Sequence, residues 1–513
     1  MMSEYKRLHP ISAVASFIKQ LKELIIPFVA IGVLGRGEKS SFWEYMPLIA
    51  IAVTLVFVLA AGIIKWLRFT YRLEDGELKM EYGLFVKKKR YIPFDRIQSL
   101  NFSEGILHRP FGLVKVKVET AGSTDTQQAE AELTAIPKEE AKELEDIIYR
   151  EKNKGKSVQN TSQEESPAED IKEVKQEAKV LYKMSVKDIL IMASTSGGIG
   201  VIISGVLIFL SQFGEFIPYE AIFNELEEFV RSGILFVSVM VFAGLLVAWI
   251  LSIGWTLIVY ADFTVRLKDE NIIITRGLLE KKQITIPLNR IQGIRIVENI
   301  IRQPLGFATI QIESAGGSVL DKDSKDIKLI PLISKREVKE ILTKVFPDYH
   351  IAEDFHVLPK RSLIRYLIRS VFWVIPITIA ASIAFWPYGL LGGLLFIPLG
   401  FWGYMHFKDA GWNIENNQLS LRYRRLVKQT LFLKKNRIQA LDRKESWWQD
   451  RKELGSLHTT IKSGALGYSS EIKDLDTDDL HEIYKWFSQG NEKKKAPSPT
   501  ITFKEQEILG EGL

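Results

Sequence analysis

The tripeptide Arg96-Ile97-Gln98 returns as Arg290-Ile291-Gln292 and again as Arg437-Ile438-Gln439, 194 and then 147 residues further along (290 − 96 and 437 − 290). Around each copy roughly 80 residues keep one order: a strand pair, the Arg-Ile-Gln segment, a hydrophobic pair, a glycine, a strand ending in small residues, and a helix. Between the first two copies the register holds without a gap from Leu73/Leu267 to Gly122/Gly316. A chain of 513 residues built this way is one soluble module used three times.

Long apolar runs alternate with these charged modules, the mark of a polytopic membrane protein. Tyr45–Ile64, Ile189–Gly214 and Ser232–Ala261 are uncharged or nearly so and long enough to span, and Ser370–Met405 reads as an apolar hairpin turning at Trp386-Pro387-Tyr388-Gly389. The first apolar stretch, Leu24–Gly35, is about half the length a spanning helix needs. It spans only by recruiting Phe17–Leu21, with Lys19 and Lys22 snorkelling; a re-entrant segment is the alternative. Small residues crowd Ser196–Gly205, and Gly389 and Gly393 form a Gly-x-x-x-Gly pair, both signals of close helix packing.

The order is two spans and then a module, three times. Residues 1–68, 181–261 and 351–405 are the span pairs, 69–150, 262–350 and 406–489 the modules, 151–180 a charged linker and 490–513 a disordered tail. Lys65, Arg68, Lys183, Lys187, Lys360–Arg369 and Lys408 cluster at the module ends of the spans, whereas Glu215–Glu228 lies in an opposite connection. The positive-inside rule then puts the modules and both termini in the cytoplasm, with six spans. The start shows no cleaved signal peptide. The net charge of +6 is small for this length and does not indicate nucleic acid, and the absence of cysteine excludes disulfides and thiolate metal sites.

The modules resemble the bacterial-type pleckstrin-homology (PH) domain membrane proteins, of the YdbT-like kind with three such domains. The resemblance is carried by Arg96-Ile97-Gln98, Leu107–Leu113 and Thr120-Ala121-Gly122 in module 1. Arg290-Ile291-Gln292, Ile301–Phe307 and Ser314-Ala315-Gly316 carry it in module 2. Module 3 keeps Arg437-Ile438-Gln439, Leu454-Gly455 and Ser463-Gly464 but has Lys434 where the others have Pro93 and Pro287. The fold class expected is a polytopic α-helical membrane protein with three repeated PH-like modules, each a partly open seven-stranded barrel capped by a helix. The resemblance implies no enzyme activity. It also implies a smaller membrane protein with one PH-like domain as a companion.

Candidate contacts follow from charge and apolarity. Arg96, Arg290 and Arg437 can hold an anionic headgroup or an acidic partner. Alternatively, each guanidinium satisfies loop carbonyls or a repeated carboxylate, Glu104, Glu298 or Glu445, and recurrence in all three modules weighs toward this second role. The pairs Ile106-Leu107, Ile300-Ile301 and Trp447-Trp448, near Arg109, Arg302-Gln303 and Arg451, form either a cation-rimmed apolar loop that dips into a leaflet or ordinary core. Lys87, Lys88, Lys89 and Arg90 can contact anionic lipid or be a solvated turn. The seven histidines are scattered and there is no phosphate loop or nucleophile motif, so neither catalytic residue, metal nor cofactor is expected. The reading is a non-enzymatic scaffold of the bacterial cytoplasmic membrane whose modules bind partner proteins or lipid headgroups, in envelope defence or membrane homeostasis. The alternative is a component of a transport or export complex.

Overall fold

Asp75 and Gly76 both take positive φ, 55° and 74°, as a tight two-residue hairpin requires. The strands they join, β2 (Thr70–Glu74) and β3 (Glu77–Tyr82), bury alternate residues, and β4 (Lys88–Pro93) completes the sheet. One strand more belongs to it. β1, only Lys6–Arg7, pairs antiparallel with β2, Lys6 opposite Tyr71. Between β1 and β2 lie helices α1 (Ile11–Leu34) and α2 (Ser41–Arg68). Helices α1 and α2 are therefore inserted inside a sheet hairpin, and the module starts before them. A one-turn helix then leads to β5 (Ile97–Glu104), β6 (Leu113–Thr120), β7 (Ala131–Pro137) and α3 (Lys138–Gln159).

The computed structural model describes residues 5–34, 41–120, 131–159, 178–196, 234–315, 327–386, 388–463 and 467–489. Most of the small-residue stretch after Ser196, the acidic connection Glu215–Glu228, linker residues 160–177, Gly122, Gly316, Gly464, Pro387 and the tail from Gly490 lie outside them. The same plan recurs. β8 (Lys179–Lys183) precedes α4 (Val186–Thr195) and α5 (Ile234–Tyr260), and pairs with β9 (Thr264–Lys268) beyond them. Then come β10 (Asn271–Arg276), β11 (Lys281–Pro287), β12 (Ile291–Glu298), β13 (Phe307–Ser314), β14 (Ile327–Ser334) and α6 (Lys335–Val345). In module 3, β15 (His356-Val357) precedes α7 (Leu363–Val371), α8 (Val374–Ala384) and α9 (Phe396–Asp409), and pairs with β16 (Gly411–Glu415). β17 (Gln418–Arg424), β18 (Lys428–Lys434), β19 (Ile438–Lys444), the short α10 (Trp447–Asp450), β20 (Leu454–Ile461), β21 (Tyr468–Asp476) and α11 (Thr477–Ser488) follow.

The chain divides into two compact units, residues 1–291 with 298–345 and 463–466, and residues 292–297 with 346–462 and 467–513. In the first, Leu78, Met80 and Ile92 of one sheet face Val114, Val116 and Leu133 of another, and Leu144 and Ile148 of α3 cover them. All are buried, each aliphatic side chain contributing about 1.5–3 kcal/mol. In the second, Trp412, Leu419 and Leu431 meet Leu457 and Ile472 under Leu480 and Ile483 of α11. Sheets cross module boundaries. In the first unit the strand order β7-β6-β5-β11-β10-β9-β8 joins β5 of module 1 to β11 of module 2. In the second, β12, which carries Gln292–Val297 of module 2, lies beside β18 of module 3. α3 continues to Gln159, into the segment expected to be linker from residue 151.

The expectation of a polytopic α-helical protein is corrected here. Twenty-one strands run through the described residues. Among the described residues four helical stretches are long and apolar enough to cross a membrane: Ile49–Arg68, Phe242–Tyr260, Lys360–Ala384 and Tyr388–Asp409. Apolar runs dominate a reading by hydropathy, whereas strands with alternating polar residues leave little trace in it. α1 is one helix through Pro27 but carries Lys19, Lys22 and Glu23, and it is not among the four. Of the Gly389/Gly393 pair, Gly389 sits against the Ala381 backbone of α8 with no room for a Cβ, whereas a Cβ at Gly393 would meet nothing within 4 Å; a further close approach falls at Gly403, where a Cβ would lie 2.5 Å from Ser370 Oγ of α7.

Candidate site: apolar loops at the helix ends and module junctions

Each module enters its sheet directly from the end of a span. Thr70 follows α2 almost at once and pairs with Glu81, so residues beyond Glu81 return to the level of the last helical turn. Arg68 Nη1 donates to Leu84 O at 2.6 Å and fixes the turn there. In module 2, Gly277 N donates to Ala261 O and Leu278 N to Ile258 O at the end of α5. In module 3, Arg424 of β17 is locked to Asp409 at the end of α9, 2.6 Å apart and buried. The tips of these turns are apolar and exposed: Phe85 and Val86, Leu278 and Leu279, and Leu426. Gly83 and Gly277 take φ 133° and 106°, and a Cβ on either would lie within about 2 Å of a carbonyl oxygen across the turn. The basic run beside Phe85 is partly occupied. Lys87 and Lys89 reach Glu81 at 2.5 and 3.2 Å and hold its carboxyl below the ordinary range, while Lys88 is exposed.

The hydrophobic pairs are not core. Ile106, Leu107, Ile300 and Ile301 are exposed, as are Trp447 at 57% and Trp448 at 67%. The residue after each pair is a buried polar pin. His108 Nε2 lies 2.8 Å from Thr134 O. Arg302, expected at an exposed rim, is 7% exposed instead. Gln449 donates to Ser456 Oγ and Asp474 Oδ1, each at 2.9 Å. The pin holds the loop down so that the apolar pair projects. Arg451 lies over the Trp447 ring at 3.7 Å, and the two Trp rings meet edge-on. Arg365, in the first span of the third pair, donates to Trp448 O at 2.9 Å, which puts this loop beside the membrane entry as well.

The three arginines of the repeated tripeptide occupy different surroundings. Arg290 crosses to the preceding module, where its Nη1 lies 3.4 Å from Ser99 Oγ and from a Glu119 carboxylate oxygen. Burial pushes its guanidinium pKa down and Glu119 pulls it back up. Glu119 also accepts from Ser99 and from Asn101, and Asn101 Oδ1 accepts from Thr285 N of β11. Lys281 stands opposite Glu104, Lys282 opposite Ser103, and Gln283 opposite Phe102. Arg109 donates to Leu278 O at the same junction. Arg437 is half-buried and offsets part of the rise that burial gives the Tyr349 phenol, which is pushed up to about 12. Arg96 is exposed and makes no ion pair or side-chain hydrogen bond among the described residues. The carboxylates expected to serve these arginines pair elsewhere: Glu104 with Lys138 at 2.6 Å, Glu298 with Lys335 at 2.5 Å, and Glu445 with Arg443. The signal missed in the sequence was Glu119, which recurs as Glu313 in the same register as the tripeptide.

No group of three or more His, Cys, Asp or Glu residues able to hold a metal ion occurs among the described residues. The family model described as "Bacterial PH domain" matches residues 17–152, 206–347 and 366–491. Each match takes in apolar residues ahead of its module as well as the module itself, in keeping with helices threaded through a sheet hairpin. The chain is 38% identical over 493 residues to the UPF0699 transmembrane protein YdbT of Bacillus subtilis (strain 168), covering 95% of this chain and 99% of that protein. It is 26% identical over 139 residues to YdbS of the same organism, another UPF0699 transmembrane protein, covering 26% of this chain and 84% of that one. The chain is thus a membrane protein of the bacterial PH domain family, of the YdbT-like kind.

Proposed function

We propose that the protein is a non-enzymatic scaffold of the bacterial cytoplasmic membrane, whose PH-like modules bind lipid headgroups and partner proteins. The observation that carries this reading is the sheet shared between consecutive modules: β5 with β11, and β12 with β18. A strand ladder holds modules in fixed order, as a scaffold needs and a set of tethered sensors does not. The lipid side of the reading rests on the projecting Phe85-Val86, Leu278-Leu279, Leu426 and Trp447-Trp448, flanked by Lys88, Lys281, Lys282 and Arg451. Apolar tips with basic neighbours suit an anionic leaflet, each cation adding about 1 kcal/mol near the surface.

The basic residues at the module ends of the spans favour a cytoplasmic side for all three modules and both termini. That orientation requires α1 to cross together with α2. A smaller membrane protein with one PH-like domain is the partner this scaffold fits. The reading is tested by isolating the intact protein gently from its native membrane and identifying its companions by mass spectrometry of proteins and lipids. A protein partner in stoichiometric amount is expected. Anionic lipid alone, with no protein, would contradict the scaffold and leave a lipid sensor.

A further inference from the structure

The series of modules has polarity, and its two ends are built differently. At the first junction the earlier module offers the outer edge of β5 and the Glu119 carboxylate. The later module brings β11 and the Arg290 guanidinium. Glu119 stands opposite Ser99 in the β5–β6 pair. In module 3 the matching residue is Thr460, opposite Ala440. Arg443 and Lys444 occupy the places of Phe102 and Ser103. Module 3 therefore has no carboxylate at the Glu119 position; its Asp442, at the place of Asn101, lies 3.6 Å from His458 Nδ1, and Arg443 and Lys444 set two cations where a lysine-bearing strand would lie.

Module 1 is the converse. Its β4 is the end strand of its sheet. Lys88, Lys89 and Tyr91 on it are exposed. Arg96 is exposed too, although its counterpart Arg290 is largely buried against Glu119. An edge strand with unpaired backbone groups is a template for another strand. Among the described residues that edge lacks the neighbour that β11 has.

We propose that β4 and Arg96 form a docking edge for a PH-like module carried by a different polypeptide. That module adds its β5-type strand antiparallel to β4 and sets a carboxylate, at the position of Glu119, against Arg96. The proposal rests on the scaffold reading and names the partner's chemistry: an acidic β5-type edge without cations opposite Lys88 and Lys89. A second copy of this chain does not fit. Its β19 edge would put Lys444 opposite Lys88 and Arg443 opposite Lys89, and Thr460 would leave Arg96 without a carboxylate at the Glu119 position. The bond from Arg68 to Leu84 keeps this edge at the end of a span, so the docking module is itself held at the membrane.

The test places a photo-reactive amino acid at Tyr91 of the full-length protein in its native membrane. Adducts are mapped by mass spectrometry, with and without Arg96→Glu. The expected result is an adduct to a second membrane protein, on the acid-bearing strand pair of a PH-like segment. Arg96→Glu should reduce its yield at least about tenfold, since like charges at a docked interface cost several kcal/mol. Changing the partner's acid to Arg should restore the yield. Lys88→Glu with Lys89→Glu, on exposed positions, serves as a second disrupting variant. Adducts only to lipid, only to another copy of the chain, or only to a protein without a PH-like segment would overturn the proposal. So would a yield indifferent to Arg96→Glu. A different protein isolated stoichiometrically would leave the scaffold standing without this edge, whereas no protein companion at all would remove both.

Discussion

Replacing Asp474 with Asn is expected to destabilise module 3 by about 2 kcal/mol, and with Ala by about 3 kcal/mol. The Asp474 side chain is fully buried and its carboxylate serves three donors: Arg365 Nε at 2.7 Å, Gln449 Nε2 at 2.9 Å and Arg369 Nη2 at 2.6 Å. Its carbonyl accepts from Ser362 Oγ at 2.6 Å. Four side chains on or near the first span of the third pair thus grip one end of β21, since Tyr366 also donates to Lys473 O. Asn keeps the shape and one acceptor but leaves two guanidiniums without their counter-charge. Both are partly exposed, so water recovers some of the loss and the cost stays at the lower end for a broken buried pair. Ala adds a second cost, because residue 474 has φ 58°, a conformation Asp and Asn tolerate and Ala does not. Faster amide hydrogen exchange in β20 and β21, with module 1 unchanged, is the expected readout. Equal effects of Asn and Ala would show that the backbone conformation contributes nothing.

Arg302→Met is expected to cost module 2 about 3 kcal/mol, and Arg302→Lys to recover less than half of it. The guanidinium makes five hydrogen bonds: Nε to Thr195 Oγ1, Nη1 to Thr309 Oγ1 and Pro331 O, Nη2 to Met192 O and Ser196 Oγ. Three of these reach the C-terminal end of α4, one of them through the Met192 carbonyl, where a positive charge is favourable. Burial pushes the guanidinium pKa down, yet arginine stays charged because the ordinary value is so high. Met fills the volume, and Pro331 O and Met192 O keep hydroxyl donors, but the hydroxyl oxygens of Thr195, Thr309 and Ser196 lose theirs. Lys brings one point charge that cannot span the planar fan of acceptors. The measurement is the apparent melting temperature of the purified protein at fixed scan rate, together with protease sensitivity near Thr195. An unchanged melting temperature for Arg302→Met would mean that water replaces the side chain.

The repeat was legible because Arg-Ile-Gln sits at a strand start in every module and its spacing is periodic. The closing helices were legible for the same reason: Leu144, Ile147 and Ile148 lie on one helical face, and α3 packs by that face. β1 and β15 were not, because two residues such as Lys6-Arg7 or His356-Val357 carry no period to detect, and their partners lie beyond a span pair. The strand shared between modules was invisible for a related reason. β5 and β11 are paired by geometry, not by a local pattern, and Arg290 finds Glu119 171 residues away. Arg302 misled in the other direction. A loop arginine reads as solvent-exposed, and only the fold reveals the carbonyls and hydroxyls gathered around it. The exposure of Trp447 and Trp448 likewise depends on Gln449, which takes the buried position their loop offers.

The most direct test of shared sheets between consecutive modules uses the natural absence of cysteine. Ser103 and Lys282 are opposite residues on β5 and β11, within the reach of a disulfide between neighbouring antiparallel strands. Ser103→Cys with Lys282→Cys is made in the intact protein, with a protease site introduced between residues 160 and 177. After mild oxidation in the membrane and cleavage, the two fragments should remain joined on a non-reducing gel and separate on reduction. A Ser103→Cys, Asp95→Cys control, which leaves Lys282 in place, should give separated fragments throughout. Fragments that separate in the test pair after full oxidation would contradict the account, because modules 1 and 2 would then not share a sheet.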